Sequence, residues 1–421
     1  MNKKGNVLAI GICFFLFAMI SFVTGLQNPM GIIAKAQFGA TNFMSQLGNA
    51  ANFIAYAFLG LPAGFLLKGK GYKFTALAAV TVGFVGVGIS YLSGVFGSFA
   101  IYILGAFVSG FSMCMLNTVV NPLLNTLGGG GNKGNQLIQL AGSCNSLAAT
   151  IVPVFVGYLM GNAAQATIAD ANPALFIAMG VFALAFVIIF FSEIPEPELE
   201  AAASEKAENE GTLASIKGAL SYKHFVFGII AIFLYVGVEV GIPNIANLYM
   251  TSPEVGLATA AAGTVVGTYW FLMLIGRLIG SAVGGKVSSR VMMTFVCGLA
   301  ILFVLLGMLL PESTVNFPAI TSELSVAMVE IPVSVMFFVL CGICTSVMWG
   351  ATFNLAVEGL GKYTSIASGL FMVMVCGGGI LPLIQGAVAD VAGYISSYWV
   401  IIVALVYMLW FALFGSKVKK A

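Results

Sequence analysis

The sequence predicts an all-α polytopic membrane protein with twelve transmembrane helices in two six-helix halves. Three observations carry that prediction. First, 60% of the 421 residues are hydrophobic and only 8% are charged, where water-soluble chains average about 25% charged. Second, the apolar residues fall into blocks long enough to cross a bilayer, which takes about 20 residues of helix at 1.5 Å each. Third, the basic residues sort to one side of a twelve-crossing path, as the positive-inside rule requires.

The blocks run over 7–33, 43–67, 74–93, 98–126, 135–160, 174–192, 225–250, 259–285, 291–310, 332–356, 364–389 and 395–415. Each reads as a helix, because lipid offers no water to an open backbone. Barrel strands would alternate apolar and polar residues over about ten positions, a pattern these blocks lack. The first block follows Lys3 and Lys4 and is too long for the apolar stretch of a cleavable signal, so it is read as span one.

With the N-terminus cytoplasmic and the spans alternating, fifteen of the seventeen basic residues fall on the cytoplasmic side. Lys35 is external and Arg277 lies within a span. A missed span would scramble this order, so both termini are placed inside. The one long polar stretch, 193–223, carries seven of the fifteen acidic residues and reads as a solvated linker with a short surface helix near 212–220. It separates an N-terminal half, 1–192, from a C-terminal half, 224–421. The halves echo each other. VNPLLNTLG (120–128) is matched by FNLAVEGLG (353–361), and Pro153 and Gly157 by Pro382 and Gly386. Paired six-helix repeats are the architecture of alternating-access carriers.

Other chemistries find little support. A net charge of +2 is too weak to suggest nucleic-acid binding. The GGGGNKG run (128–134) joins two membrane blocks and lacks the Ser/Thr of a phosphate loop, so it reads as a turn. All seven cysteines lie in apolar blocks; Cys341 and Cys344 form a CxxC that inside a helix is an i, i+3 pair rather than a polarised redox centre. No metal cluster and no nucleophile–base pair stands out, which disfavours an enzyme.

The polar residues inside the spans are the functional candidates, because ionisable groups at membrane depth are costly. Glu239 sits in LYVGVEVGIP, roughly 22 Å along span seven. It reads as a cation or sugar site, or as a structural glutamate bonded to a neighbouring helix. Arg277 either snorkels to the cytoplasmic face or pairs with an acid at a gate, Glu358 being the candidate. The amides Gln27, Asn28, Asn49, Asn52, Asn117, Asn121, Gln139, Asn145, Asn244, Asn247, Asn354 and Gln385 populate spans of both halves. Amides suit neutral, hydroxyl-covered sugars as paired donors and acceptors, although membrane helices also use them as glue. Trp270 and Trp349 offer ring faces on which a sugar can stack.

Several segments resemble the fucose–galactose–glucose:proton symporter family of the major facilitator superfamily, closest to its glucose/galactose branch. In the first half these are TNFMSQLGNAANFIAYAFLGLPAGFLLKGKGYK (41–73), MLNTVVNPLLNTLG (115–128) and CNSLAATIVPVFVG (144–157). In the second half they are FLYVGVEVGI (233–242), IGRLIG (275–280) and GKYTSIASGLFMVMVCGGGILPLIQGAVADVAG (361–393). The resemblance implies a major facilitator fold and carriage of a monosaccharide, a hexose or deoxyhexose, by alternating access coupled to H+ or Na+, with no other cofactor. It implies a monomer in a bacterial-type inner membrane, with lipid and sugar as partners. The family's span-one acid falls on Asn28, its span-four acid on Asn117 and its span-five glutamine on Gly142. Its span-ten aromatic falls on Trp349, and its YVGxEVxI glutamate is kept as Glu239. The substrate-binding set expected is therefore Gln27, Asn28, Asn49, Asn52, Asn117, Asn121, Asn145, Glu239, Asn244, Trp349 and Asn354, with cation coupling at Glu239 and gating at Arg277 and Glu358. Loss of the first-half acids leaves a passive facilitator, or a sugar receptor that moves nothing, as rival readings.

Overall fold

A backbone surrounded by apolar side chains must satisfy its own N–H and C=O groups, and helices do this within one segment. The computed structural model is accordingly helical almost throughout. It describes residues 3–128, 131–160, 166–196, 212–283, 287–310, 313–321, 325–360 and 363–418.

Helices α1 (Lys3–Gly25) and α2 (Gln27–Phe38) make one long crossing jointed at Leu26. A single turn, α3 (Asn42–Ser45), leads into α4 (Leu47–Phe96). At 50 residues α4 would be about 75 Å long if straight, more than twice the hydrocarbon thickness. It is broken at Gly71, whose φ of 83° and ψ of 179° suit glycine and few other residues. The Glu196 carboxylate caps the arm that follows, accepting from the N–H groups of Tyr72 (2.5 Å) and Lys73 (2.9 Å). The two arms are the blocks 43–67 and 74–93. Then come α5 (Phe99–Leu127), α6 (Gly131–Met160) and α7 (Asn172–Phe191).

After the linker, α8 (Thr212–Leu220) forms where a short surface helix was expected. It is followed by α9 (Lys223–Thr251), α10 (Thr259–Val283) and α11 (Ser289–Leu309). Helices α12 (Val333–Thr345) and α13 (Met348–Val357) meet at a 42° bend. Helices α14 (Thr364–Val373) and α15 (Gly377–Ala392) join through a 3-10 turn, and α16 (Trp399–Trp410) runs into a π turn over Phe411–Gly415. Among the described residues nine helices are long and apolar enough to cross a membrane, ten with the bent pair counted. Dividing α4 at Gly71 and admitting the shorter apolar stretch Leu140–Val156 of α6 makes the structure consistent with twelve.

One element differs from expectation. Residues 311–331 lie between the apolar blocks 291–310 and 332–356, where no regular element is expected from the sequence, but β1 (Thr314–Ile320) and β2 (Val326–Pro332) pair antiparallel, from Thr314↔Pro332 to Ile320↔Val326. The Ile320 N–H donates to Thr264 Oγ1 at 3.1 Å and seats the hairpin on α10. Seven-residue strands, one containing Pro318, leave too little alternation to be read against the long apolar blocks beside them.

Large apolar side chains such as Phe58, Phe191, Leu309 and Val391 are exposed on the outside of the bundle, as a lipid-facing surface requires. The helices before the linker meet those after it along two seams, α4 on α14 and α15, and α6 on α10. Small residues let the backbones approach. A Cβ on Gly379 would stand 2.7 Å from Ala50 Cα, one on Gly386 2.8 Å from the Asn42 carbonyl, and one on Gly267 2.6 Å from the Thr150 carbonyl. At the Lys35 end the first seam is tied by polar contacts. Lys35 Nζ donates to Asn42 Oδ1 (2.5 Å) and Tyr394 Oη (2.6 Å), and the Asp390 carboxylate accepts from the N–H groups of Asn42 (2.7 Å) and Phe43 (2.9 Å). That end is closed.

Candidate functional site

Two prolines explain much of the polar architecture between the seams. A proline inside a helix has no N–H for the carbonyl four residues earlier. Pro243 in α9 therefore frees the Glu239 carbonyl, and Tyr269 Oη on α10 donates to it at 3.1 Å. Pro382 in α15 frees the Gly378 carbonyl, and Asn49 Nδ2 on α4 donates to it at 2.9 Å. Each proline thus creates an acceptor that a neighbouring helix must fill.

The Glu239 side chain is held by charge. Its Oε1 lies 3.7 Å from Arg277 Nη2, the one side-chain ion pair among the described residues. Nη1 of the same guanidinium crosses the α6–α10 seam to donate to the Gly142 carbonyl (2.8 Å) and to Ser146 Oγ (2.7 Å). The guanidinium packs closely on Gly142, where a Cβ would stand in ordinary van der Waals contact with Nη1 at 3.5 Å. The Tyr235 hydroxyl, one turn before Glu239, faces both charges and donates to the Thr345 carbonyl at 3.1 Å. Thr345 and Ser346 bond back to carbonyls three and four residues earlier, which bends helices, and they sit at the α12–α13 bend. Just past the bend Trp349 packs edge-on against Tyr235 (centroids 6.2 Å apart) and Phe371 (5.7 Å). Tyr235 and Glu239 of α9, Arg277 of α10 and Trp349 of α13 are thereby gathered from three helices.

The pairing of Arg277 corrects the sequence reading. Its acid is Glu239 and not Glu358, which is exposed at the end of α13 and uses its backbone carbonyl to bond His224 Nε2 at 2.8 Å. Arg277 points into the seam, while Glu358 sits where α13 ends towards the linker.

The amides divide by what they touch. Asn117 donates to Tyr56 Oη (2.9 Å) and Asn121 to the Asn117 carbonyl (2.9 Å), a ladder on the half-buried face of α5. Asn52 donates to the Ala106 carbonyl (3.2 Å) and Asn145 to the Phe17 carbonyl (3.0 Å), both between helices that precede the linker. Gln27 accepts from Tyr102 Oη (2.8 Å), and Asn244 donates to Gln46 Oε1 (3.1 Å). Asn354 is exposed on α13. The side chains of Asn28 and Gln139 lie outside the described residues. Cys341 and Cys344 are buried free thiols. Sequence reasoning missed Tyr269, Ser146, Gln46 and Asp390. Only Tyr269 had a signal, the proline four residues after Glu239.

Comparison with known proteins places this arrangement. The family model of the major facilitator superfamily matches residues 10–381. The chain is 29% identical over 422 residues to the glucose/galactose transporter of Brucella abortus, covering 99% of this chain and 96% of that one. It is 21% identical to the L-fucose-proton symporter of Escherichia coli, covering 91% and 88%. Among solved structures, the major facilitator transporter FucP in the outward conformation aligns with a TM-score of 0.71 at 19% identity, over 98% of this chain and 99% of that one. The nucleoside transporter NupG aligns with a TM-score of 0.64 at 13% identity, over 99% and 98%. The chain is thus an integral membrane protein that belongs to the major facilitator superfamily, and it matches that superfamily's fucose–galactose–glucose:proton symporter family.

Proposed function

We propose that this protein carries a monosaccharide, a hexose or deoxyhexose, across the membrane by alternating access, and that a cation, H+ or Na+, is coupled at Glu239. It is a carrier and not an enzyme. The relatives that span nearly the whole chain are named for glucose/galactose transport and fucose–proton symport. The observation that supports the coupling reading is the Glu239–Arg277 pair, which reaches across the α6–α10 seam to Gly142 and Ser146. A cation on Glu239 weakens its hold on Arg277, and Arg277 in turn holds the seam. Occupancy of the carboxylate is thereby linked to the fit of the two sets of helices, and such linkage is reciprocal. The sugar rests against Trp349 and bonds the ladder of Asn117 and Asn121. Glu358 and Arg277 move with the gate at the linker end. The Lys35 end is external, both termini and the linker are cytoplasmic, and the working unit is a monomer in a bacterial cytoplasmic membrane.

The test is Glu239→Gln in liposomes. This variant should lose gradient-driven sugar accumulation and keep sugar counterflow. Because removing one partner strands the other charge, Glu239→Gln/Arg277→Gln is measured beside it and should regain stability without regaining accumulation. Full accumulation by a folded Glu239→Gln protein would sink the coupling reading. A second reading, passive facilitation, is favoured by the amides at positions 28 and 117. It predicts that the wild type equilibrates sugar without accumulating it under proton or sodium gradients.

A further inference from the structure

The Lys35 end of the seam is closed by side chains that suit a sugar. Asn244 on α9 donates to Gln46, which lies between α3 and α4, and Asn49 on α4 donates to the Gly378 carbonyl on α15. Both bonds join helices before the linker to helices after it, and Gln46, Asn49 and Asn244 are all buried. Gln385 on α15 completes the group. It is fully buried, and neither its carbonyl oxygen nor its amide nitrogen has a hydrogen-bond partner. The oxygen faces α9, where a Cβ on Gly241 would stand 2.7 Å from it. A primary amide offers two donors and two lone pairs. Burying them unpaired is less favourable than burying an apolar side chain of the same shape.

Resting on the carrier reading above, we propose that Gln46, Asn49, Asn244 and Gln385 form an entry subsite for the polyhydroxylated substrate, exposed when the Lys35 end opens. Opening draws α3 and α4 away from α9 and α15. The Gln46–Asn244 and Asn49–Gly378 bonds then break, and the Gln46 carbonyl oxygen and the Asn49 amide lose the partners they have across the seam. Gly386, adjacent to Gln385, packs directly on the Asn42 carbonyl, so withdrawal of α3 uncovers the turn of α15 that carries Gln385. A neutral sugar, whose hydroxyls each donate and accept, replaces the lost partners and fills the empty ones. Substrate and closed gate compete for the same groups, so the subsite is built on opening and dissolved on closing, which passes the sugar inward towards Trp349.

The experiment uses Gln385→Leu in oriented vesicles, with D-glucose, D-galactose and L-fucose offered from either face and thermal stability read in detergent. Gln385→Leu should be at least as stable as wild type, because it removes unpaired polar atoms. Its half-saturation concentration at the Lys35 face should rise about fivefold to tenfold, and stay within about twofold at the other face. Gln385→Met and Gln46→Met are measured beside it, so a single misfolded variant does not remove the test, and both should show the same one-sided loss. Folded variants with wild-type half-saturation at the Lys35 face, or with equal losses at both faces, overturn the subsite while the carrier reading stands. A wild type that moves none of the three sugars overturns the carrier reading and the subsite with it.

Discussion

At Glu239 a carboxylate, a backbone carbonyl and a proline act together. Pro243 removes the helical partner of the Glu239 carbonyl, and Tyr269 supplies a replacement while its ring packs edge-on against Trp270 at 5.2 Å. Tyr269→Phe keeps the ring and strands the carbonyl, so it should lower stability by about 1–3 kcal/mol. Restoring a backbone N–H with Pro243→Ala in the same chain should recover part of that loss, because the i→i−4 bond can re-form. Thermal unfolding of the two variants and their combination measures the coupling. An additive double variant would show that the proline and the tyrosine act independently. Glu239 was legible in the sequence because a charge within an apolar block stands out. Its partner was not: sequence spacing does not say which helices adjoin, so Arg277 was matched to Glu358 when the packing of α10 beside α9 places it against Glu239. The amides were legible as a set, but not how each is engaged. Asn52 and Asn145 bond carbonyls of helices on their own side of the linker, whereas Asn49 and Asn244 bond across the seam.

Among the described residues, two α-helical segments are capped by carboxylates from a distance. Glu196 caps the second arm of α4 where Gly71 breaks it, and Asp390 caps α3 from the far side of the seam. Both are charge-assisted bonds to backbone N–H groups that have no helical partner of their own. Their consequences differ because of what they join. Glu196→Gln should cost about 1–2 kcal/mol of stability and leave transport intact, since it ties the start of the linker to α4 and does not cross the seam. Asp390→Asn should loosen the closure itself. With about 1.4 kcal/mol less holding it, the Lys35 end opens about tenfold more often. A cysteine at Ser45, buried in the closed structure, reports the change: an impermeant maleimide should alkylate Ser45→Cys about tenfold faster when Asp390→Asn is present. Equal rates would remove Asp390 from the gate. Neither cap was legible, because Glu196 lay among six other linker acids that read as a solvated charge run. The hairpin β1–β2 escaped for the complementary reason, its short alternation being lost beside long apolar blocks.

The whole molecule follows from the bilayer's demand that each crossing satisfy its own backbone, and that demand made the helical architecture readable from apolar blocks and charge sorting, with a structure consistent with the twelve crossings expected. What hydropathy cannot encode is which ends of the bundle touch. Contact is set by glycines whose Cα atoms meet a facing backbone, and on α15 Gly379 and Gly386 stand seven residues apart, two turns along one face. They let α15 lie against Ala50 and Asn42 in this structure, where the Lys35 end is shut. Adding bulk there acts as a wedge. Gly386→Val projects two methyl groups into the Asn42 carbonyl, a backbone group that cannot give way, so it disfavours the closed arrangement without touching Glu239, Arg277 or Trp349. The expected result is a folded protein that binds sugar from the Lys35 face at least as well as wild type but turns over poorly, because a carrier held in one state cannot complete its cycle. Equilibrium binding and counterflow on the same preparation separate the two. If Gly386→Val lost binding and counterflow together while remaining folded, closure at α15 would not be the step that alternates. Counterflow at the wild-type rate would show that the seam has enough slack to absorb a valine, and that the contact between Gly386 and α3 does not control access.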